Sequence, residues 1–159
     1  MNEIAKAVPV LRKLVELQPE SASAHFELAA ALMAQGDTAA AVPELEMVSE
    51  KAPHSDKVHL MLATAYAEVG RSREAVTECE KVLETIPNHY PALLLEGRIL
   101  VEAKQAEAAV PRLELAAEIE PRDPDPHTYL ADAYLQLGRK TEAAREKAEA
   151  KRLAAAHQD

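Results

Sequence analysis

Four prolines, Pro19, Pro53, Pro87 and Pro121, recur at an interval of 34 residues, and the alanines Ala7, Ala41, Ala75, Ala109 and Ala143 keep the same interval in a second register. A period of this length is a strong constraint. It holds one small supersecondary unit, which cannot bury its apolar faces alone and must stack on its neighbours. The clearest copy runs from Asp56 to His89. His59, Leu62, Ala63, Tyr66 and Val69 keep helical spacing up to Gly70, and Ala75, Val76, Cys79, Val82, Leu83 and Ile86 resume it up to Pro87. Each unit therefore reads as two short helices with a break at the glycine.

With the proline at position 32, the complete units are residues 22–55, 56–89, 90–123 and 124–157, and residues 2–21 are the second half of another. Position 8 is always small (Ala29, Ala63, Gly97, Ala131), position 20 is always alanine, and position 27 is apolar (Leu14, Val48, Val82, Ala116, Ala150). The turn at position 15 is glycine in three units (Gly36, Gly70, Gly138), which suits a left-handed helix C-terminus. In these residues nearly the whole chain resembles the tetratricopeptide repeat family. The resemblance implies an all-α fold, an α-solenoid of antiparallel helix pairs in a right-handed superhelix. First helices would line a concave groove and second helices would lie outside.

The pattern is broken at several places. The third unit has Glu96 where its siblings carry Leu28, Leu62 and Leu130, and Lys104 where they carry glycine. We read Glu96 as an exposed or Lys/Arg-paired carboxylate rather than a perturbed functional acid. Pro9, Pro43 and Pro111 fall inside second helices and predict bends. In the last unit Lys147 and Lys151 replace residues that are mostly apolar elsewhere, giving a charged C-terminal capping helix. At the other end, residues 2–18 form a lone second helix whose Ile4, Val8, Leu11 and Val15 are expected to stay uncovered, so self-association through this helix is expected.

Chemistry is sparse. His25, His59 and His127 share position 4, a packing slot on successive helices whose axes lie about 8–10 Å apart, whereas zinc ligands converge within about 2.1 Å. No metal is expected. Nucleophile elbows, phosphate loops and cofactor motifs are absent from the sequence, so neither an enzyme nor a cofactor is expected. Cys79, the single cysteine, reads as a buried small hydrophobe. A net charge of −9 repels phosphates, which argues against nucleic acid and anionic membranes as partners. Neither a targeting signal nor a membrane span is apparent, so the reading is a cytoplasmic protein or an excised domain of an exported or membrane-anchored one. Glutamate pairs on the second helices, Glu46 with Glu50, Glu80 with Glu84 and Glu114 with Glu118, form an acidic ridge that either keeps the surface soluble or docks a basic partner.

These features converge on a non-catalytic protein-interaction scaffold; the alternative is a regulatory or targeting domain cut from a larger enzyme-containing polypeptide. Some family members hold acidic chaperone tails in a Lys/Asn clamp. The clamp positions here hold Phe26, Ala30, Met61, Pro91 and Leu95, or one repeat later Leu60, Thr64, Leu95, Asp125 and Tyr129, so that activity does not carry over. The groove-facing positions instead offer Phe26, Met33, Leu60, Met61, Leu94, Leu95, Val101 and Tyr129. Glu27, Glu68, Glu102, Asp125 and Asp132 surround them, opposed by Lys57 and Arg98. A peptide or helix with apolar anchors and basic flanks is the expected ligand.

Overall fold

The computed structural model describes residues 2–156, with side chains from Lys6 onward; Ile4 and His157 lie outside the described side chains. Among the described residues there are nine α-helices and no strand: α1 (Asn2–Leu17), α2 (Ala22–Gln35), α3 (Thr38–Lys51), α4 (Asp56–Glu68), α5 (Ser72–Thr85), α6 (Tyr90–Glu102), α7 (Ala106–Ile119), α8 (Asp125–Gln136) and α9 (Lys140–Ala156). Two compact units divide within α5, the first ending at Glu78 and the second beginning at Cys79.

Local chemistry starts and stops these helices. Ser21, Asp37, Ser55 and His89 each accept a hydrogen bond from the backbone N–H three residues on, satisfying a donor that the first turn leaves unpaired. First helices end on a left-handed residue: Gly36, Gly70 and Gly138 at φ 84°, 81° and 73°, and Lys104 at φ 62°. The next residue then bonds back to the carbonyl five positions earlier, as from Arg71 to Tyr66 and from Gln105 to Leu100, both at 2.8 Å. Lys104 thus adopts the glycine conformation with a side chain attached. Pro9, Pro43 and Pro111 lie inside α1, α3 and α7 without ending them. All three are exposed, so the carbonyl left without its helical partner can turn to water.

In the first unit Leu28, Leu32, Leu45, Val48 and Leu62 are buried between helix pairs, and in the second Val82, Leu93, Ile99, Leu113, Leu130 and Leu153 are. Each such side chain contributes about 1.5–3 kcal/mol by leaving water. Alanines let the helices approach closely, and Ala29, Ala41, Ala63 and Ala109 are fully buried. At Gly97 the approach is closer still, because an added β-carbon would overlap the Leu113 side chain. Cys79 is fully buried.

One expectation needs correction at α1. Among the described side chains of α1, Val8 is buried and Leu11, Leu14 and Val15 are half-buried, while the exposed large apolar residues are Val10 at 68% and Leu17 at 72%. Of the stripe read as uncovered, Val8, Leu11 and Val15 thus lie on the covered side of α1, which packs on α2. At the other end α9 buries Ala143, Ala150 and Leu153 while Lys147 and Lys151 face solvent.

Candidate functional site

First helices carry the predicted binding residues, and each unit presents its own set. In the first unit Phe26 and Met33 on α2 and Leu60 and Met61 on α4 are half-buried, neither sealed in the core nor fully solvated. Lys57 is exposed, and its Nζ lies 4.8 Å from the centroid of the Phe26 ring, a cation–π contact that brings these two together. Glu27 and Glu68 are exposed at the margin, and Glu68 accepts a 2.6 Å hydrogen bond from the Thr38 hydroxyl.

In the second unit Leu94 and Leu95 on α6 and Tyr129 on α8 are half-buried. Arg98 lies 3.5 Å from Glu102. Burial raises the Tyr129 phenol pKa; Arg98 opposes this, and the Asp125, Glu102 and Asp132 carboxylates add to it. The arginine and the acids therefore act electrostatically on one phenol. Asp132 is exposed and, with Leu135, Lys140 and Lys147, lines a cavity of about 320 Å³ between α8 and α9. Val101 departs from expectation: it is 5% exposed, and its carbonyl accepts a hydrogen bond from Gln136 Nε2 at 2.9 Å. Packing of α8 on α6 encloses it, so it is a core residue and not part of the floor.

The polar network inside the repeats escaped sequence reading. His25 Nδ1 lies 2.5 Å from Glu44, His59 Nδ1 2.6 Å from Glu78, and His127 Nδ1 2.7 Å from Glu146. Each contact joins the two helices of one repeat. In the third repeat the same two positions hold Leu93 and Arg112, and Arg112 Nε turns to Glu96, 2.9 Å away. Glu96 is thus Arg-paired, but buried rather than exposed. Its second carboxylate oxygen is buried without a hydrogen-bond partner, and burial raises its pKa against the opposing pull of Arg112. The available signal was covariation between repeats: a glutamate nineteen residues after each position-4 histidine, and an arginine where that histidine is missing.

The acidic ridge is also more than a solvated face. Glu46 accepts the Tyr66 hydroxyl at 2.8 Å, and Glu114 accepts that of Tyr134 at 2.7 Å. Arg71 and Arg139 stack over these rings at 4.2 and 4.4 Å, and Arg71 also reaches Glu46 at 3.1 Å. Each set bolts one repeat to the next within its unit. Glu50, Glu84 and Glu118 remain exposed. Among the described residues no group of three or more His, Cys, Asp or Glu side chains could hold a metal ion, and no helix is long and apolar enough to cross a membrane.

No curated protein matches the chain. Solved structures do. The crystal structure of MamA protein superposes with a TM-score of 0.88 at 16% identity, covering 96% of this chain and 83% of that one. Another crystal structure of MamA gives 0.90 at 15% identity over 99% and 92%, and MamA MSR-1 C2 gives 0.87 at 22% over 98% and 90%. Matches extend to 187 chains of solved structures, so the likeness identifies a fold and not an occupation. The tetratricopeptide repeat model matches residues 1–63, 32–99, 67–127 and 100–158, overlapping stretches that cover almost the entire sequence. The chain belongs to the tetratricopeptide repeat family.

Proposed function

We propose that the chain is a non-catalytic protein-interaction scaffold whose first-helix faces take a peptide or helix from a partner protein. Membership of the tetratricopeptide repeat family supports such a scaffold in general. The observation that carries the finer reading is the shared state of Phe26, Leu60, Met61, Leu94, Leu95 and Tyr129, which stand at equivalent register on first helices and are only half-buried. Side chains of this kind lose further apolar surface when a ligand is laid on them, and Met and Tyr adapt to ligands of varied shape.

The acidic margin selects the rest of the ligand. Exposed Glu27 and Glu68 in one unit, and Glu102, Asp125 and Asp132 in the other, favour basic residues flanking apolar anchors. Lys57 and Arg98 stand within these faces, Lys57 over Phe26 and Arg98 beside Glu102. The overall charge of −9 disfavours nucleic acid and anionic membranes.

A peptide library screened against the wild type and a Leu60→Ser, Leu94→Ser variant tests the proposal. Peptides with apolar anchors and basic flanks should bind the wild type and weaken at least tenfold on the variant, with its helicity unchanged. Undiminished binding to a folded variant would move the site to the outer helices. The exposed Val10 and Leu17 support a second contact, self-association through α1. Sedimentation should show a smaller species for Val10→Glu, Leu17→Glu than for the wild type, and identical profiles would dismiss that contact.

A further inference from the structure

In the first two complete repeats the buried imidazole meets an acceptor at each of its nitrogens. His25 is 6% exposed; its Nδ1 is 2.5 Å from Glu44 Oε2 and its Nε2 2.9 Å from the Pro19 carbonyl oxygen. His59 is 4% exposed, with Glu78 Oε2 at 2.6 Å and the Pro53 carbonyl oxygen at 3.0 Å. A carbonyl oxygen only accepts, so Nε2 must carry a hydrogen. A second hydrogen must lie between Nδ1 and the carboxylate, because otherwise two lone pairs would face each other at hydrogen-bond distance. Neutral histidine and ionised glutamate together have only one such hydrogen.

We infer that the His25–Glu44 and His59–Glu78 couplets each retain one proton more than a neutral imidazole beside a carboxylate, and act as proton-dependent clasps between the two helices of their repeats. Where the hydrogen sits is immaterial to this count. Imidazolium with carboxylate and imidazole with carboxylic acid hold the same number of protons.

Neighbouring charges bear on the count. Around His25 stand Glu44 and Lys51 from α3 and Glu20 from the preceding turn. Burial disfavours the cation, but the bonds to Glu44 and Pro19 prevail, against a small opposing effect of Lys51, and the pKa is raised. His59 faces Glu78 from α5, which also acts on Tyr66; the Glu46 and Arg71 groups lie beyond that ring. In the second unit His127 Nδ1 faces Glu146, and the two line a cavity of about 520 Å³ with Arg145, Glu149 and Arg152. The third repeat substitutes Leu93 and Arg112 and has no such couplet.

The sign follows from proton counting. An unfolded histidine releases its proton near pH 6.5, so above that pH the folded chain holds more protons than the unfolded one and stability falls as pH rises. For the His25 couplet, whose imidazole pKa is raised, the contribution is complete below about pH 6.5 and disappears as pH rises through that raised value. Comparison with a His25→Gln, His59→Gln variant cancels the contributions of the other titrating groups.

The test is urea unfolding from pH 6 to 9 for wild type and variant, with proton release on unfolding measured in weak buffer at pH 7.5. The wild-type unfolding constant should rise by up to about tenfold per pH unit for each retained proton relative to the variant, and its unfolding should release up to about two protons more. Parallel pH profiles in the two proteins would overturn the inference. If the variant does not fold, ¹⁵N spectra of wild-type imidazoles decide. At pH 7.5, His25 and His59 should each show Nε2 protonated and Nδ1 sharing a proton with its glutamate, and a bare Nδ1 lone pair at either ring refutes the clasp.

Discussion

Replacing Glu96 with leucine should stabilise the protein, although it deletes a buried ion-pair partner. The carboxylate is 2% exposed, one oxygen receives Arg112 Nε at 2.9 Å, and the other is buried with no partner. An unsatisfied buried oxygen costs about 1–3 kcal/mol, whereas an ion pair whose arginine is 40% exposed returns about 1 kcal/mol or less. Leucine fits the slot, since Leu28 and Leu62 are 1% exposed at the same register and Leu130 3%. The expected gain is about 1 kcal/mol, or a rise of about 2–4 °C in Tm for a chain of this size. Arg112→Ala provides the contrast: it leaves the carboxylate buried without its counter-charge and should cost about 3 kcal/mol.

The pH dependence supplies a second check. Burial raises the Glu96 pKa, so over the window between its unfolded and folded values the folded chain keeps a proton that the unfolded chain has released. Stability therefore falls as pH rises through that window, and the advantage of Glu96→Leu should be largest at neutral pH and shrink towards pH 4.5. Thermal melts of the wild type and both variants at pH 4.5 and 7 measure this. A Glu96→Leu protein less stable than wild type at pH 7, beside a harmless Arg112→Ala, would refute the reasoning.

Lys104→Gly should add about 0.5–1 kcal/mol, because Lys104 sits at φ 62° where a β-carbon costs about 1–2 kcal/mol and glycine loses part of that gain to backbone entropy; urea midpoints decide, with Lys104→Ala expected to show no such gain. Tyr66→Phe should cost about 1–2 kcal/mol by removing the 2.8 Å bond to the Glu46 carboxylate, and Tyr134→Phe should do the same at Glu114; an unchanged midpoint in both would show that the stacked arginines alone hold the repeats. Cys79, fully buried, should react with a thiol reagent only as fast as its surroundings open, so native labelling at the rate of the urea-unfolded chain would contradict its burial.

Backbone-level constraints were the legible part of this sequence. Left-handed turns, close helix approach and the stop before each repeat leave marks in glycine, alanine and proline, and those marks recur at one period. The helix pairs follow from them. Side-chain partners were less legible, since the histidines identify a buried slot but not what faces it. Glu44, Glu78 and Glu146 look like ordinary surface glutamates until the repeats are aligned, and Arg112 then stands out as the exception. Val8 and Val101 were misplaced for a related reason: an apolar stripe identifies a helix face without saying which neighbour lies against it, and α2 and α8 decided that. Register puts Phe26, Leu60, Met61, Leu94, Leu95 and Tyr129 on first helices, where all are half-buried, but a ligand has no representation in the pattern.

The pairing of Glu96 with Arg112 restricts how this array can change by recombination. Repeats of equal length invite unequal crossing-over, and a breakpoint in the turn between two repeats exchanges complete helix pairs, so the His–Glu and Glu96–Arg112 partners, which lie within one repeat, travel together. At the glycine-type turn inside the third repeat the outcome differs. Joining α6 to a sibling's second helix would set the buried Glu96 against Glu44, Glu78 or Glu146, and joining α7 to a sibling's first helix would set a histidine against Arg112. The first chimaera sets two carboxylates against each other at the core of its helix pair, and the second leaves both the histidine and Arg112 without their carboxylate partners. The third repeat is therefore heritable as a whole and not as halves, and a library that shuffles these repeats should retain function only where the joints lie beside Pro19, Pro53, Pro87 or Pro121.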